Sequence, residues 1–287
     1  MKYAYIQRHQ ADFKVRRMCR AFGVSASGYY AWCTRPDSQR TQQNKVLLDH
    51  IRRIHQVSRQ AYGAVKTWQA LNVEGIVCGK HRVARLRREH HIEAKRRRRF
   101  KITTRSKHHH WVAPDHVNRC FRVQQVNQVW AGDVTFIATR RGWLYLAILL
   151  DLYSRKVVGW SMSNRNDQAL VLSALQMAVQ QRRPADGIIH HTDRGLLYAT
   201  KQYRQAMEVY GMLPSMGRKG DCYDNAVAES FFSTLKNELI YGQNYETCDQ
   251  ARSEIFEYIE VFYNRQRLHQ TLGYKTPAEY ETINVLN

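Results

Sequence analysis

Short apolar runs of strand length dominate the second half of the chain. Three of them follow one another, separated by a Gly-containing turn at 140–142 and by a polar stretch at 151–155. β-Branched and aromatic residues in runs of this length favour strands, and short connections favour antiparallel neighbours. The three predicted strands cover residues 129–137, 143–150 and 156–161.

The pattern then alternates between helix and strand. Apolar residues at helical spacing predict helices at 167–181, 203–210, 225–241 and 250–264. Short buried-type runs predict two further strands at 187–191 and 212–215. This order is typical of a ribonuclease H-like α/β fold. We therefore predict a mixed five-stranded sheet with flanking helices, in which the first and fourth strands are neighbours.

The patterns before this region are helical. Helices are predicted at 14–20 and 26–32, separated by a turn at Gly23, with Ser25 at an N-cap position. This is the outline of a helix-turn-helix, although any small helical hairpin looks similar. Further helices are predicted at 43–57, 64–71 and 80–91.

Two of these helices have distinctive faces. The apolar stripe of the helix at 43–57 comprises Val46, Leu47, Ile51 and Ile54. The helix at 80–91 has an apolar seam with a basic flank, formed by Arg82, Arg85, Arg87 and Arg88. Such a flank can be an ordinary solvated face, but the repeated positive sign favours a surface that contacts phosphates.

Net charge is distributed unevenly along the chain. The formal net charge is +21, and residues 1–126 hold 28 Lys and Arg against 7 Asp and Glu, whereas residues 127–287 hold 17 of each. This excess indicates a polyanionic partner, and nucleic acid is the leading candidate because bound Lys and Arg release counterions. No stretch approaches the ~20 apolar residues of a membrane span, so we expect a cytoplasmic protein without a membrane partner.

A like-charge run, KRRRRFKITTRSK, lies at 95–107. It would repel itself, so we expect a linker that lies on a nucleic-acid backbone; nuclear localisation is the alternative for such a run. The adjoining histidines 108–110 lack paired cysteines, which favours a solvated basic segment over a zinc site. The predicted domains are a helix-turn-helix-like segment (1–40), a small all-α DNA-binding domain (41–94), a basic linker (95–126) and a catalytic core with C-terminal helices (127–287).

Three carboxylates occupy positions where chemistry is expected. Asp133 lies in the first strand (WAGDVTFI), Asp193 follows the fourth (IIHHTDRG), and Glu229 lies on a helix (DNAVAESFF). Neighbouring strands would let the two aspartates converge, and hard oxygen ligands suit Mg²⁺ or Mn²⁺. Taken singly, each residue has a simpler explanation, as an ion-paired aspartate, a turn residue or an exposed helix residue.

The spacing of these residues changes that assessment. Thirty-five residues separate Asp193 from Glu229, and Lys236 lies seven positions beyond Glu229, nearly two helical turns, on the same helix face. A cation there can hold a DNA strand at the metal site. The arrangement resembles the DD(35)E catalytic core of insertion-sequence transposases and retroviral integrases.

Longer stretches resemble the downstream-frame product, OrfB, of insertion-sequence family three over nearly the whole chain. The most specific are SMGRKGDCYDNAVAESFFSTLKNEL at 215–239 and YNRQRLHQTLGYKTPAEY at 263–280. The resemblance extends to VWAGDVTFI, LDLYSRKVVGW, HTDRGLLYAT, MCRAFGVSASGYYAW and YGAVKTW. The chain departs from the family pattern at Leu196-Leu197, where a polar pair is usual, and at Asp221, where Asn is usual. Neither departure removes a metal ligand.

The resemblance implies a DNA transposase that cleaves element ends and transfers their 3′-hydroxyls to another phosphodiester. Two Mg²⁺ ions, replaceable by Mn²⁺, would be held by Asp133, Asp193 and Glu229. The implied partners are double-stranded DNA (terminal repeats and target), further copies of the chain, and an upstream-frame (OrfA) protein or fusion. The implied setting is bacterial, with the protein on the nucleoid when bound to DNA.

Other residues are expected to contact DNA or to support the site. The predicted DNA contacts are Lys236, Arg218, Lys219, Tyr223, Asn225, Arg96, Arg97, Arg98, Arg99, Arg85 and Arg88. For the four between 218 and 225, closing the loop and capping the helix is an equally good explanation. Asp151 is interpreted as structural, pairing with Arg155, with a position near the metals as the alternative.

Two other functions remain to be weighed. A hydrolytic nuclease of the same fold would cleave without joining, but it would not need the basic front half to read element ends. A DNA-binding regulator, or an inactive remnant, would not need the three carboxylates. The transposase interpretation accounts for both features.

Overall fold

The computed structural model describes residues 1–95, 111–117, 123–217 and 226–285. The chain divides into two compact units, Met1–Arg52 and Arg53–Asn287. Within the described ranges, no helix is long and apolar enough to cross a membrane. The domain limits that the sequence suggests at 40, 94 and 126 stay predictions.

The first unit contains three short helices in its N-terminal part. They are α1 (Lys2–Arg8), α2 (Val15–Ala21) and α3 (Ala26–Thr34). Ile6, Met18, Cys19 and Tyr29 form their common core. The predicted N-cap is confirmed, because the Ser25 side chain accepts a hydrogen bond of 2.9 Å from the Gly28 amide at the start of α3.

Three further helices follow, and the apolar stripe of the first differs from the prediction. They are α4 (Gln39–Val57), α5 (Ala64–Val73) and α6 (Lys80–Glu89). The prediction for Val46 was wrong, since its side chain is 59% exposed, whereas Leu48 is buried beside the other stripe positions. Successive residues of a helix point about 100° apart, so a stripe that includes 47, 48, 51 and 54 turns position 46 outward.

The basic flank of α6 is also smaller than predicted. Arg87 is buried and donates hydrogen bonds to the Thr67 hydroxyl (3.0 Å) and the Tyr62 carbonyl (2.9 Å). A buried guanidinium needs such acceptors, so Arg87 joins α6 to α5 and is not available to phosphate. Arg85 and Arg88 remain accessible on the helix surface.

The second unit is built on a mixed five-stranded sheet. Its strands are β1 (Val129–Thr139), β2 (Gly142–Asp151), β3 (Val157–Ser163), β4 (Ile189–Thr192) and β5 (Leu213–Met216). The order is β3-β2-β1-β4-β5. β1 pairs antiparallel with β2 and parallel with β4, β2 pairs antiparallel with β3, and β4 pairs parallel with β5. The predicted topology, including the β1–β4 pairing, is confirmed.

Helices cover both faces of this sheet. The helices are α7 (Gln168–Arg182), α8 (Lys201–Val209), α9 (Ala226–Leu235), α10 (Cys248–Glu257) and α11 (Pro277–Val285). Along β2, Leu146, Ile148 and Leu150 enter the core shared with α9 and α10, whereas Ala147 and Leu149 enter the core shared with α7 and α8. Alternate side chains of a strand point to opposite faces, so one apolar strand supplies both cores.

Two helices predicted as continuous change to π-helical geometry. α9 is followed by a π-helical segment at Lys236–Ile240, and α10 by another at Tyr258–Tyr263. In the first, the consecutive residues Asn237, Glu238 and Leu239 are all buried. A periodicity of 3.6 residues does not reveal the wider turn, in which i→i+5 hydrogen bonds add a residue.

Candidate active site

The register between β1 and β4 brings two of the predicted carboxylates together. Gly132 pairs with Thr192 at the end of the parallel ladder, so the next residues, Asp133 and Asp193, lie side by side. Neighbouring strands lie about 4.8 Å apart. Both aspartates are partly buried, Asp133 in the continuing β1 and Asp193 just beyond the carboxyl end of β4.

The electrostatic environment links Glu229 to this pair. The pKa of Asp133 is raised well above its ordinary value, mainly by burial and then by the charges of Asp193 and Glu229. Two groups oppose this increase, the Val134 amide, which donates a 2.8 Å hydrogen bond to Asp133, and the ammonium of Lys236. Burial and the Asp193 charge also raise the pKa of Glu229. The three carboxylates therefore share one partly desolvated region with an excess of negative charge.

Lys236 reaches β1 from the helix that carries Glu229. Its Nζ lies 5.3 Å from the centroid of the Phe136 ring. Burial lowers the pKa of Lys236, and the Asp133 charge partly offsets that effect. Lys236 thus lies between the carboxylates and the exposed part of the β1–β2 hairpin. The sequence did not single out Phe136.

Two buried side chains that the sequence did not single out lie behind β1. A Cβ added to Gly132 would lie 2.6 Å from the His190 ring, so only glycine fits next to Asp133. The His190 Nε2 lies 2.8 Å from the Tyr203 hydroxyl, and its Nδ1 lies 3.3 Å from the Trp130 carbonyl oxygen. Burial lowers the pKa of His190 to about 4, so the ring is neutral and adds no cation beneath the carboxylates.

Local contacts fix the loop that begins at Asp193. The Gly195 amide donates a 2.9 Å hydrogen bond to the Asp193 carboxylate, the pattern of an Asx-turn. The Arg194 Nε donates a 2.7 Å hydrogen bond to the Gly217 carbonyl at the end of β5. These contacts hold the Asp193 backbone and its carboxylate in place at the end of β4.

Asp151 has structural partners. Its buried carboxylate accepts hydrogen bonds from the amides of Asn127 (2.7 Å), Tyr153 (2.9 Å) and Ser154 (3.0 Å). The Arg182 guanidinium, which nothing in the sequence links to Asp151, lies 3.9 Å away. These contacts favour the structural interpretation of Asp151, as the residue that closes the turn between β2 and β3.

The other predicted DNA contacts divide into two groups. Arg85 and Arg88 lie on the surface of α6, with the Arg85 Nε 3.9 Å from a Glu89 carboxylate oxygen. The remainder lie outside the described residues: Arg96, Arg97, Arg98, Arg99, Arg218, Lys219, Tyr223 and Asn225.

The donor set fits divalent cations better than any other group. Among the described residues, no group of three His, Cys, Asp or Glu side chains is close enough together to hold a metal ion as it stands. The carboxylates instead act on one another in pairs. The charges of Asp193 and Glu229 raise the pKa of Asp133, and the charge of Asp193 raises the pKa of Glu229. Like charges gathered in a desolvated place favour a bound cation, and hard oxygen donors that leave room for water and phosphate oxygens suit Mg²⁺ or Mn²⁺.

Comparison with known families identifies the same parts of the chain. Two Integrase core domain families match, one at residues 123–222 and one at 229–285. An HTH-like domain family matches residues 42–100. That helix-turn-helix match covers the second helical region, 41–94, and not the N-terminal segment for which the sequence pattern suggested this motif.

Curated relatives cover nearly the full length. The chain is 38% identical over 291 residues to the transposase InsF for insertion sequence IS3A of Escherichia coli strain K12, covering 99% of this chain and 100% of the relative. It is 44% identical over 263 residues to an uncharacterized 31 kDa protein of insertion element IS600 from Shigella sonnei, covering 92% of this chain and 97% of the relative.

Solved structures with similar coordinates are more distant. A chain of the simian T-cell lymphotropic virus intasome, solved with PP2A regulatory subunit B56 gamma, is 16% identical with a TM-score of 0.48, covering 75% of this chain and 70% of that chain. The HTLV-2 integrase catalytic core domain in complex with magnesium is 17% identical with a TM-score of 0.43, covering 56% of this chain and 99% of that chain.

Proposed function

The chain belongs to the transposases of insertion sequence IS3 and is a DNA transposase with an integrase core, and on that premise we propose that Asp133, Asp193 and Glu229 carry its phosphoryl-transfer chemistry. The main support is the β1–β4 register, which sets Asp133 beside Asp193 where the Glu229 charge reaches both. No other group of residues combines this convergence with a partly desolvated position at the end of parallel strands in the described part of the chain.

All three carboxylates would hold the metal ions, because the charges of Asp193 and Glu229 act on Asp133 and the charge of Asp193 acts on Glu229. When bound, two Mg²⁺ ions, replaceable by Mn²⁺, would supply charge stabilisation for the attacking and leaving oxygens of an in-line displacement. The Asx-turn at Gly195 and the absent side chain at Gly132 hold the aspartates in position.

The reaction needs no external energy source. In cleavage, water attacks a phosphodiester at the element end, one P–O bond forms as another breaks, and a 3′-hydroxyl is released. In joining, that hydroxyl attacks a second phosphodiester, and again one bond replaces one. Lys236 binds the DNA strand that enters the site, because its ammonium is directed to the region of Asp133 and is partly desolvated. We also propose the order of the joining reactions: one end of the element is joined to the opposite end of the same element, and the resulting circular intermediate is inserted into target DNA later.

A joining assay tests this function. The full chain is incubated in Mg²⁺ with labelled DNA from both ends of its element, with and without the upstream-frame protein, and the products are sequenced. We expect new phosphodiester junctions that begin at the element termini. Hydrolysed ends without junctions in either arm would identify a nuclease and overturn the proposal.

Because joining needs two ends held together, we also propose that the chain acts as an oligomer on DNA.

The salt dependence of DNA affinity tests the basic linker. Replacing Arg96, Arg97, Arg98 and Arg99 by Gln is expected to weaken binding and to reduce the slope of log affinity against log salt. Each phosphate contact contributes about 0.9 to that slope, so four lost contacts reduce it by about 3 to 4. Fluorescence anisotropy with labelled duplex DNA at several salt concentrations measures the change.

The control for this series is an arginine away from the linker. Arg252 forms a surface ion pair with Asp249 (2.8 Å), and Arg252→Gln is expected to leave the slope unchanged. If the Arg96–Arg99 variant kept the parent slope, the linker would not lie on the DNA backbone.

A further inference from the structure

An aromatic pair is exposed on the β1–β2 hairpin beside the candidate active site. Phe136 is 44% exposed and Trp143 is 51% exposed. Their ring centroids lie 5.1 Å apart with an interplanar angle of 86°. Phe136 is paired with Tyr145 across the ladder and Trp143 with Ala138, so both rings lie on one face of the hairpin. We call Phe136 and Trp143 the hairpin platform.

Packing does not account for the exposure of this pair. The same face of β2 is buried at Ala147 and Leu149, where it enters the core shared with α7 and α8. Towards the turn the strands run beyond that core, and two large aromatic rings remain in contact with water. Large aromatic side chains gain most from burial, so an exposed pair at this position indicates a ligand that covers it.

Positive charge lies around the hairpin platform. The Lys236 Nζ lies 5.3 Å from the Phe136 ring centroid. Arg140 and Arg141 are exposed at the adjoining turn, where Arg140 also forms a surface ion pair with Glu246 (3.0 Å). This local positive charge attracts a polyanion.

The hairpin platform is also continuous with the proposed catalytic residues. Phe136 lies three residues after Asp133 on β1, about 10 Å along the strand, and this odd spacing turns the two side chains to opposite faces of the sheet. β1 extends past its last pair with β4, at Gly132, so a DNA strand can pass around this edge from one face to the other. Lys236 bridges the two, because it lies near the Phe136 ring and its pKa responds to the charge of Asp133. At 3.4 Å per nucleotide of one strand, about 10 Å equals roughly three nucleotides.

We propose that the hairpin platform of Phe136 and Trp143 stacks an unpaired base of the DNA strand held in the active site, about two to three nucleotides from the reacting phosphate. Only an unpaired base exposes a ring face to an aromatic side chain, and such stacking tolerates any base sequence. Lys236 and the arginines of the turn hold the neighbouring phosphates. The inference rests on the proposed function, because it takes Asp133 as the position of the reacting phosphate.

Photo-crosslinking of the full chain tests the stacking directly. Element-end DNA carries a single 5-iodouracil at successive positions from the reacting phosphate, EDTA is present so that no chemistry occurs, and crosslinked residues are mapped by mass spectrometry. We expect crosslinks to Phe136 and Trp143 that are strongest about two to three nucleotides from that phosphate. Crosslinks confined to other residues, or an even distribution over all positions, would overturn the proposal.

Substitutions provide the second measurement. Trp143→Ala is expected to slow joining by about 5- to 150-fold, the range that corresponds to one lost base–aromatic stack, and Trp143→Phe to restore most of the rate. Phe256→Ala, which removes a comparably exposed aromatic ring on α10, is expected to leave joining unchanged. Thermal unfolding confirms that each variant is folded.

The outcomes separate this inference from the function on which it rests. Normal joining by folded Trp143→Ala, or an equal loss from Phe256→Ala, would overturn the stacking site and leave the transposase assignment intact. A change in sedimentation by Trp143→Ala, together with no crosslink from DNA to either platform ring in the parent chain, would identify a protein contact and also overturn it. Crosslinks at the expected position from a chain that never joins DNA would support the platform and contradict the catalytic proposal.

Discussion

A Glu229→Gln chain is expected to bind element-end DNA as tightly as the parent and to cleave and join it at least about 10²- to 10³-fold more slowly. The amide has nearly the same shape but no charge, so the proposed metal-binding set loses one of its three anionic donors. Burial and the Asp193 charge raise the pKa of Glu229, so the ionised form of Glu229 is destabilised at this position. Single-turnover cleavage and joining in Mg²⁺ and in Mn²⁺ measure the loss.

The matched control for Glu229→Gln is another glutamate on a helix. Glu208 is exposed on α8 and contributes no charge to the site, so Glu208→Gln is expected to join DNA at the parent rate. Binding is measured by anisotropy in EDTA, where the metal ligands do not contribute. Joining at the parent rate by Glu229→Gln would remove Glu229 from the catalytic set.

Arg267→Met is expected to lower the free energy of unfolding by about 3–5 kcal/mol, the cost of leaving a buried charge without its partner. Arg267 and Glu238 are 4% and 8% exposed, and their closest contact, Nη2 to Oε1, is 2.7 Å. The Tyr258 hydroxyl donates a further 2.8 Å hydrogen bond to Glu238. Urea denaturation followed by circular dichroism measures the change.

Two comparisons identify the origin of that loss. The double variant Arg267→Met with Glu238→Leu is expected to recover most of it, since no uncompensated charge then remains. Arg252→Met, which breaks the surface pair with Asp249, is expected to cost no more than about 1 kcal/mol. A single Arg267→Met variant as stable as the parent would show that the buried pair contributes nothing.

The same pair predicts a pH dependence of stability. Arg267 holds the pKa of Glu238 below its ordinary value, despite burial, which acts in the opposite direction. The contribution of Glu238 is therefore fully present above the ordinary pKa of a glutamate and is lost as the pH falls through the lowered value. Because Glu238 belongs to the π-helical segment that begins at Lys236, loss of the pair is also expected to slow joining.

Sequence patterns were most informative where one local rule decides the outcome. Alternating or short apolar runs gave the five strands, and their order gave the β1–β4 pairing, because few topologies can bury so many apolar strand residues. Ser25 was identified as an N-cap because its hydrogen bond is made within three residues. Asp133, Asp193 and Glu229 stay predictions, made from their spacing and from the distinctive residues around each of them.

Contacts between distant residues were not visible in the sequence. Arg87 looked like part of a basic surface, yet it binds the Thr67 hydroxyl, 20 positions away. Glu238 and Arg267 form a buried pair across 29 positions. Charged residues are usually exposed, so a sequence pattern predicts them at the surface. Whether one is buried depends on the hydrogen-bond acceptors that the fold brings to it.

The sequence by itself determined the order of the elements and the charge asymmetry, and it predicted the three carboxylates of the proposed site. Only the tertiary structure decided that Asp133 and Asp193 lie side by side, that the Glu229 charge reaches both, and that Lys236 lies against the Phe136 ring. The physical reason is the distance along the chain over which each interaction acts. Periodicity and capping act within a few residues, whereas carboxylates separated by tens of residues influence one another's pKa only after strand pairing and helix packing have removed the water between them.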